Sequence, residues 1–380
     1  MVVDLNESRK KIDEIDRQIA SLFEERMKVT TDVAAYKRST GKKVFDPVRE
    51  EEKLKVLRDY TDNEFNKTGI EDLFRQIMSI SRKYQYKVLG AENDEKQLFR
   101  EVDELDVDED TRVVCFGEHG AFTEQAMEEV FGENITAINK MTFREVMEAV
   151  ANGEAKYGVL PIENTSTGGI TDIYDLLLDY DITIVAEHVV KVEQALLGKP
   201  GTKIDDIRTI YSHPQGLMQC ARFFEEHPDI KGEAYKSTSG AAKKVAADDD
   251  MTQAAIASSR AAGIFGLEVL KKSINFESNN YTRFIIITNQ HIFLSNANKI
   301  SISFEVKHQV GALYNMLANF YYNDLNLTKI DSRPMESRNW EYRFFVDVEG
   351  NLNDPGVSNA LACISEFASE LKILGNIETK

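Results

Sequence analysis

The sequence predicts a multi-domain chain: an all-α N-terminal helical domain, an α/β domain, and a small ferredoxin-like α+β domain at the C-terminal end. Three observations carry this. Apolar Leu5, Ile12, Ile15, Ile19, Leu22, Val29, Val33 and Tyr36 fall on a heptad-like stripe, the mark of one long helix. From Val113 the hydrophobic period changes, and short β-rich runs alternate with amphipathic stretches. From about Lys299 the pattern reads strand, helix, strand, strand, helix, strand. A chain of 380 residues is also too long for one hydrophobic core.

Gly41 breaks the first helix, and Asp46-Pro47 restarts one, with Asp as N-cap and Pro in the first turn. A third helix is expected after Thr68-Gly69, with Ile70, Leu73, Ile77, Ile80 and Tyr84 on one face. The helical domain is placed at 1–90 and an acidic, solvated linker at 91–111, ending Asp106-Val107-Asp108-Glu109-Asp110. The α/β domain is placed at 112–290, with strands at 113–116, 157–162, 182–190, 209–212, 254–257 and 284–288. One of its helices opens on a capping box, Thr142 and Glu145. The last domain is placed at 298–380.

A net charge of -18 argues against a nucleic-acid partner, which needs a broad basic surface. No apolar run approaches the roughly 20 residues that span a bilayer, so no membrane partner is expected. The start, Met1-Val2-Val3-Asp4-Leu5, lacks the apolar core of a signal peptide. Cys115, Cys220 and Cys363 form no CxxC pair and read as reduced core residues. A cytoplasmic location is the expectation.

The apolar seam of the first helix also carries charge. Arg26 sits between Leu22 and Val29, where the register calls for a core residue. A buried guanidinium needs a carboxylate from protein or ligand. Lys37 lies about three turns on, on nearly the same face. Arg9 flanks the stripe, the second helix adds Asp46, Arg49 and Glu50, and the third adds Ser81 and Gln85 at i, i+4 spacing. Spacing alone leaves two readings: a polar residue that sets coiled-coil register, or an anion clamp.

Arg9, Arg26, Lys37, Asp46, Arg49, Glu50, Ser81 and Gln85 all fall where the all-helical chorismate mutase family keeps its site residues, and the helical block resembles that family throughout. The resemblance implies intertwined protomers, each site borrowing Arg9 from its partner. It implies a rearrangement of chorismate to prephenate that needs no nucleophile, metal or cofactor, only a held conformer and stabilised ether oxygen. Arg26 and Arg9 would clamp the two carboxylates. Lys37 and Gln85 would donate to the ether oxygen, and Glu50 with Asp46 would bind the hydroxyl.

In the α/β domain, Gly117-Glu118-His119-Gly120-Ala121-Phe122-Thr123 feeds a helix, and such a loop can receive an anion on its free N–H groups or be a plain tight turn. Strand 157–162 runs into Glu163-Asn164-Thr165-Ser166-Thr167-Gly168-Gly169, at the edge where open α/β sheets bind ligands. Ser212-His213-Pro214-Gln215, running on to Gln219, forms a second such edge, and Asn279-Asn280-Tyr281-Thr282-Arg283-Phe284 a third. These stretches resemble the prephenate dehydratase domain. That family implies a two-lobed α/β fold similar to periplasmic binding proteins, with the site in the cleft. It assigns Thr282 the task of helping the hydroxyl leave; with no convenient pKa, Thr282 is expected to act as a positioned donor. Asn164, Ser212, Gln215 and Gln219 are candidates for orienting substrate, and Arg283 for local positive potential. His213 is expected to be structural. Gln194 stands where many family members have His, and cannot carry a proton.

Gly311-Ala312-Leu313-Tyr314 and Asp331-Ser332-Arg333-Pro334 resemble the two motifs of the ACT regulatory domain, with Val310 where the family commonly has Pro. The resemblance implies L-phenylalanine bound between paired protomers as an allosteric inhibitor, through Gly311, Ala312, Leu313, Asp331, Ser332, Arg333 and Pro334. The whole chain thus resembles a bifunctional chorismate mutase–prephenate dehydratase, a homodimer or higher homo-oligomer. Two rivals stay open: a dehydratase with a non-catalytic helical arm, and an amino-acid-binding regulator without catalysis. Neither needs both Thr282 at a cleft and Arg26 with Lys37 in a seam.

Overall fold

The computed structural model describes residues 4–89, 94–276, 279–306, 308–335 and 341–379. The chain divides into two compact units, Met1–Leu98 with Ile302–Lys372 and Phe99–Ser301 with Ile373–Lys380.

In the first unit, helix α1 spans Leu5–Thr40, opened by the Asp4 carboxylate and closed by Gly41 in the left-handed conformation at φ 65°. Helix α2 spans Pro47–Arg58, with the Asp46 Oδ1 accepting from the Arg49 amide at 3.1 Å. Helix α3 spans Glu64–Leu89 and so begins before the expected Thr68-Gly69 start. Asn63 explains this: its Oδ1 accepts from the Asn66 amide at 3.1 Å, an N-cap bond. Gly69 then sits inside the helix at a cost of about 1 kcal/mol, which the packing of α3 on α1 and α2 outweighs.

The C-terminal part of this unit runs strand, helix, strand, strand, helix, and the strand Glu370–Glu378 that follows passes at Ile373 into the second unit. Its strands Leu327–Pro334, Tyr342–Glu349 and Lys299–Val306 lie side by side in that order, and its helices are Ala312–Tyr322 and Pro355–Phe367. Phe304, Phe320, Phe345 and Ile364 are buried within it.

The second unit holds two large sheets. One orders Thr183–Lys191, Tyr281–Thr288, Tyr157–Asn164, Arg112–Phe116 and Thr136–Lys140. The late strand Tyr281–Thr288 enters antiparallel between two earlier ones. The other sheet orders Glu268–Lys271, Ala195–Gly198, Gln253–Ala257, Thr209–Ser212 and Lys231–Ala234. Each sheet has its own buried core, one around Val113, Val159 and Ile286, the other around Leu196, Ile210 and Ile256. The chain crosses from the first sheet to the second at 192–194 and returns at 272–280. The two crossings are stitched together, Val192 N to Asn280 O at 2.8 Å and Ile274 N to Gln194 O at 2.9 Å. A two-lobed unit with a double hinge results.

The expected linker is partly structured. Arg100–Val102 pairs in parallel with Ile292–Leu294, and Leu105 packs against the first core. Acidic composition hid these few apolar residues, which bury enough surface to hold the segment down. All three cysteines are buried and free.

Candidate active sites

Two clusters of polar side chains lie where the backbone brings predicted residues together, one in each unit.

In the helical cluster, packing of α3 on α1 sets Arg26 against Ser81, whose Oγ accepts from Arg26 Nη1. Burial holds the Arg26 guanidinium below its ordinary range, with Glu50 pulling it back. Lys37, on the last turn of α1, donates from Nζ to the Val44 carbonyl. Burial also lowers the Lys37 ammonium, partly offset by Glu366, Asp46 and Glu50, while Arg49 adds to the lowering. Ser81 and Gln85 are buried, and Gln85 Nε2 reaches the Ser81 carbonyl at 3.3 Å. Gln85 Oε1 is buried with no hydrogen-bond partner among the described residues. Asp46 and Arg49 are exposed at the mouth, and Asp46 also caps α2. Arg26, Ser81 and Gln85 therefore meet, and Lys37 shares the Glu50 carboxylate with Arg26 as a charge partner.

Arg9 is not part of this cluster in its own chain. It is exposed on α1, about 25 Å along the helix axis from Arg26 at 1.5 Å per residue. The apolar stripe beside it is open too: Ile12, Ile15, Ile19 and Leu22 are each more than half exposed.

Sequence reasoning missed Arg82 and Glu366. Arg82 is buried, pairs with Glu50, and lies over the Phe45 and Phe367 rings. Its signal was legible, since Met78, Ser81, Arg82, Gln85 and Tyr86 are the buried face of α3 at helical spacing. Glu366 comes from the far end of the chain, where no local pattern points to α1.

In the second cluster, Thr282 and Asn164 are directly paired across two strands. Asn164 Nδ2 donates to Thr282 Oγ1 at 2.9 Å, Asn280 Oδ1 at 2.8 Å and the Tyr281 carbonyl at 3.1 Å, sharing its two protons over three acceptors. Asn164 Oδ1 is held by the Ser166 amide at 2.9 Å, which fixes the orientation of the side-chain amide. With Oγ1 accepting from Asn164, the Thr282 hydroxyl keeps its own proton to donate. Gln215, at the start of the helix Pro214–Gln219 in the other lobe, reaches across to Thr167 Oγ1 at 3.5 Å. Gln219 Oε1 accepts from Gln194 Nε2 at 3.3 Å, so Gln194 sits on the hinge and holds Gln219.

The geometry departs from two expectations. Ser212 is 0% exposed and donates to the Ile256 carbonyl at 2.7 Å, under Gly216 of the following helix. It ties strand to strand and cannot touch a substrate in this arrangement. Arg283 follows Thr282 on a strand and so faces the other way. It pairs there with Glu163 at 3.6 Å and Glu187 at 3.8 Å, and its charge is neutralised away from Thr282. Of the two readings of the Gly117–Thr123 loop, the contacts favour the tight turn, because the Gly120 amide and His119 Nδ1 are both engaged by Glu124. His213 caps its helix through Nδ1, accepting from the Gln215 amide at 3.3 Å, and burial lowers its imidazolium.

Of the residues expected to bind a regulator, Gly311 holds φ 77° as it opens the helix Ala312–Tyr322, a conformation suited to glycine. Leu313 is half-buried on that helix, and Val310 is fully exposed. Asp331, Ser332, Arg333 and Pro334 close the edge strand Leu327–Pro334.

Comparison with known proteins gives matches to the chorismate mutase type II family over residues 8–86 and to the prephenate dehydratase family over residues 113–292. A bifunctional chorismate mutase/prephenate dehydratase of Pseudomonas aeruginosa is 31% identical, over 97% of this chain and 96% of that one. The Aquifex aeolicus protein of the same description is 31% identical over 98% and 97%. Among solved structures, a prephenate dehydratase from Arthrobacter aurescens in complex with L-Phe matches at a TM-score of 0.66 and 29% identity, covering 71% of this chain and 90% of that one. A chain described as a quorum-quenching acylase, GqqA, matches at 0.66 and 30% identity, covering 71% and 98%.

Proposed function

The chain belongs to the bifunctional chorismate mutase/prephenate dehydratase family, and on that footing we propose which of its residues carry each reaction. The enzyme converts chorismate to prephenate, and prephenate to phenylpyruvate with loss of carbon dioxide and water. A shared fold does not decide chemistry, as the acylase neighbour shows, so the assignment stands on the residues.

For the first step, the reacting dianion sits between Arg26 and the Arg9 of a second copy. The exposed apolar stripe of α1 supports such a pairing, since a helix with that face open buries it against another. Lys37 and Gln85 donate to the ether oxygen as the bond breaks, Ser81 and Arg49 hold carboxylate oxygens, and Glu50 with Asp46 takes the hydroxyl. Placing charge-bearing donors in a partly desolvated pocket strengthens them where charge develops.

For the second step, the observation that carries the reading is the Asn164–Thr282 pair. Aromatisation drives the loss of carbon dioxide, and the slow part is departure of hydroxide, a poor leaving group. Asn164 fills one acceptor site of Thr282 Oγ1 and turns its proton outward to that oxygen. Gln215 and Gln219 orient the substrate from the opposite lobe.

The C-terminal βαββαβ block reads as an ACT domain that binds L-phenylalanine as feedback inhibitor. The Arthrobacter aurescens dehydratase, solved with L-Phe, supports this, as do the glycine-entered helix and the motif on an edge strand. We place the enzyme in the cytoplasm on its unpaired buried thiols. The test supplies chorismate and follows prephenate and phenylpyruvate with and without phenylalanine. Lys37→Ala is expected to abolish prephenate formation and spare dehydration of added prephenate. Loss of both activities in a folded Lys37→Ala protein would overturn the separate-site assignment.

A further inference from the structure

The helix Pro355–Phe367 ends against the loop that joins α1 to α2. Glu366 Oε1 accepts from the Phe45 amide at 3.5 Å, and the Phe367 ring centroid lies 4.1 Å from that of Phe45. The Arg82 guanidinium covers both rings, 5.0 and 5.1 Å from their centroids, while its Nη1 holds Glu50. Beneath them, Val44 and Tyr86 form one buried cluster with Ala362 and Cys363. The segment gripped in this way is 44–46, and the same segment sets Lys37, whose ammonium donates to the Val44 carbonyl.

We propose that Glu366 and Phe367 are positioning residues for the chorismate rearrangement, holding the 44–46 segment, and through it the Lys37 ammonium, in the geometry the reaction uses. The inference rests on the reading of Lys37 as the donor to the ether oxygen. A connecting loop held only by its own neighbours samples many conformations, and a donor displaced by an ångström loses much of its effect. The C-terminal block removes that freedom.

Charge points the same way. Glu366 is the carboxylate that acts most on Lys37, ahead of Asp46 and Glu50, with Arg49 opposing. Glu366 itself faces Tyr86, Arg82 and Lys43. Burial lifts its carboxyl above the usual range, and the Tyr86 hydroxyl, the Phe45 amide, Arg82 and Lys43 draw it back. A glutamine or an alkyl side chain would serve packing better, and departures of this kind collect at functional sites.

The experiment measures chorismate turnover by the full chain across pH for the wild type, Glu366→Gln, Glu366→Asp, Phe367→Leu and Lys37→Ala, with dehydration of added prephenate as control. Glu366→Gln is expected to lower kcat/KM for chorismate about tenfold. It should also move the alkaline limb roughly half a pH unit toward acid, because one negative charge has left the side of Lys37. Phe367→Leu should lower kcat with the limb in place, Glu366→Asp should restore the limb, and prephenate dehydration should stay unchanged in all. If Lys37→Ala retains mutase activity, the reading of Lys37 falls and takes the inference with it. If Lys37→Ala is inactive while Glu366→Gln and Phe367→Leu match the wild type, the inference alone is overturned. A rate loss in Glu366→Gln with an unmoved limb marks a purely structural contact and also overturns it. Should Glu366→Gln fail to fold, Phe367→Leu and Glu366→Asp separate the same outcomes.

Discussion

Replacing Thr282 by Val removes one hydroxyl from the cleft and little else. The two side chains share a shape, and position 282 is a paired strand residue, 8% exposed, where a β-branched side chain fits. Asn164 Nδ2 keeps two other acceptors, Asn280 Oδ1 and the Tyr281 carbonyl, so no buried donor is orphaned. The stability change is therefore about 1 kcal/mol or less. The chemistry loses more, because one preorganised donor to a developing oxyanion is worth about 100- to 1,000-fold in rate, or about 2.7–4 kcal/mol. Initial rates of phenylpyruvate formation from added prephenate measure this, with prephenate formation from chorismate as internal control and a thermal melt to verify folding. The expected result for Thr282→Val is a kcat lowered by that factor, a nearly unchanged KM and an unaltered mutase rate. Thr282→Ser keeps the hydroxyl and should lose far less. A folded Thr282→Val enzyme that dehydrates prephenate within a few-fold of the wild type would refute the reasoning.

Further outcomes follow from the same geometry. With the Lys37 ammonium as the proposed donor, and burial holding it below the ordinary lysine range, kcat/KM for chorismate should fall as pH rises through that lowered value. Across the same window the unfolded chain binds more protons than the native one, so Lys37 makes stability rise with pH, and a melt series will separate the activity loss from unfolding. Arg9→Ala and Arg26→Ala should each lose mutase activity alone. Their unfolded and co-refolded mixture should recover about a quarter of wild-type activity, because half of the dimers then carry one intact site; no recovery would exclude a borrowed arginine. Glu366→Gln should raise Tm at neutral pH and leave it alone in acid. The raised carboxyl contributes stability that is present below its unfolded pKa and lost as pH rises through the folded one. In the second unit, a Cβ at Gly375 would lie 2.0 Å from the Ile184 carbonyl oxygen, so Gly375→Ala should cost about 3 kcal/mol or more and show as a large drop in Tm.

Much of the site was legible because local patterns announced it. Arg26 stood in a heptad seam, and desolvating a guanidinium is too costly to be idle. Asp46-Pro47 marked a helix start, and Asn164 lay where an apolar strand gives way to glycines. Other residues could not be judged that way. Ser212 and Asn164 occupy similar strand ends, yet one hydroxyl is consumed by the Ile256 carbonyl and the other side chain is aimed at Thr282. Arg283 shared a motif with Thr282 and faced the opposite side of its strand, a consequence of the two-residue period that the charge alone conceals. Within the expected linker, acidic composition hid local order: three strand residues and Leu105 are held down despite the run of acids.

By itself the sequence determined the changes of hydrophobic period, the starts of helices such as α2 and the residue types available for each reaction, since periodicity, capping and turn chemistry are local. Tertiary structure decided which of those residues meet. It brought strand Tyr281–Thr288 between two strands far earlier in the chain, which places Thr282 against Asn164. It also set Glu366 beside a loop more than three hundred residues away, in the |i−j| = 321 contact with Phe45. Such encounters depend on which faces bury together, and burial is a property of the folded whole.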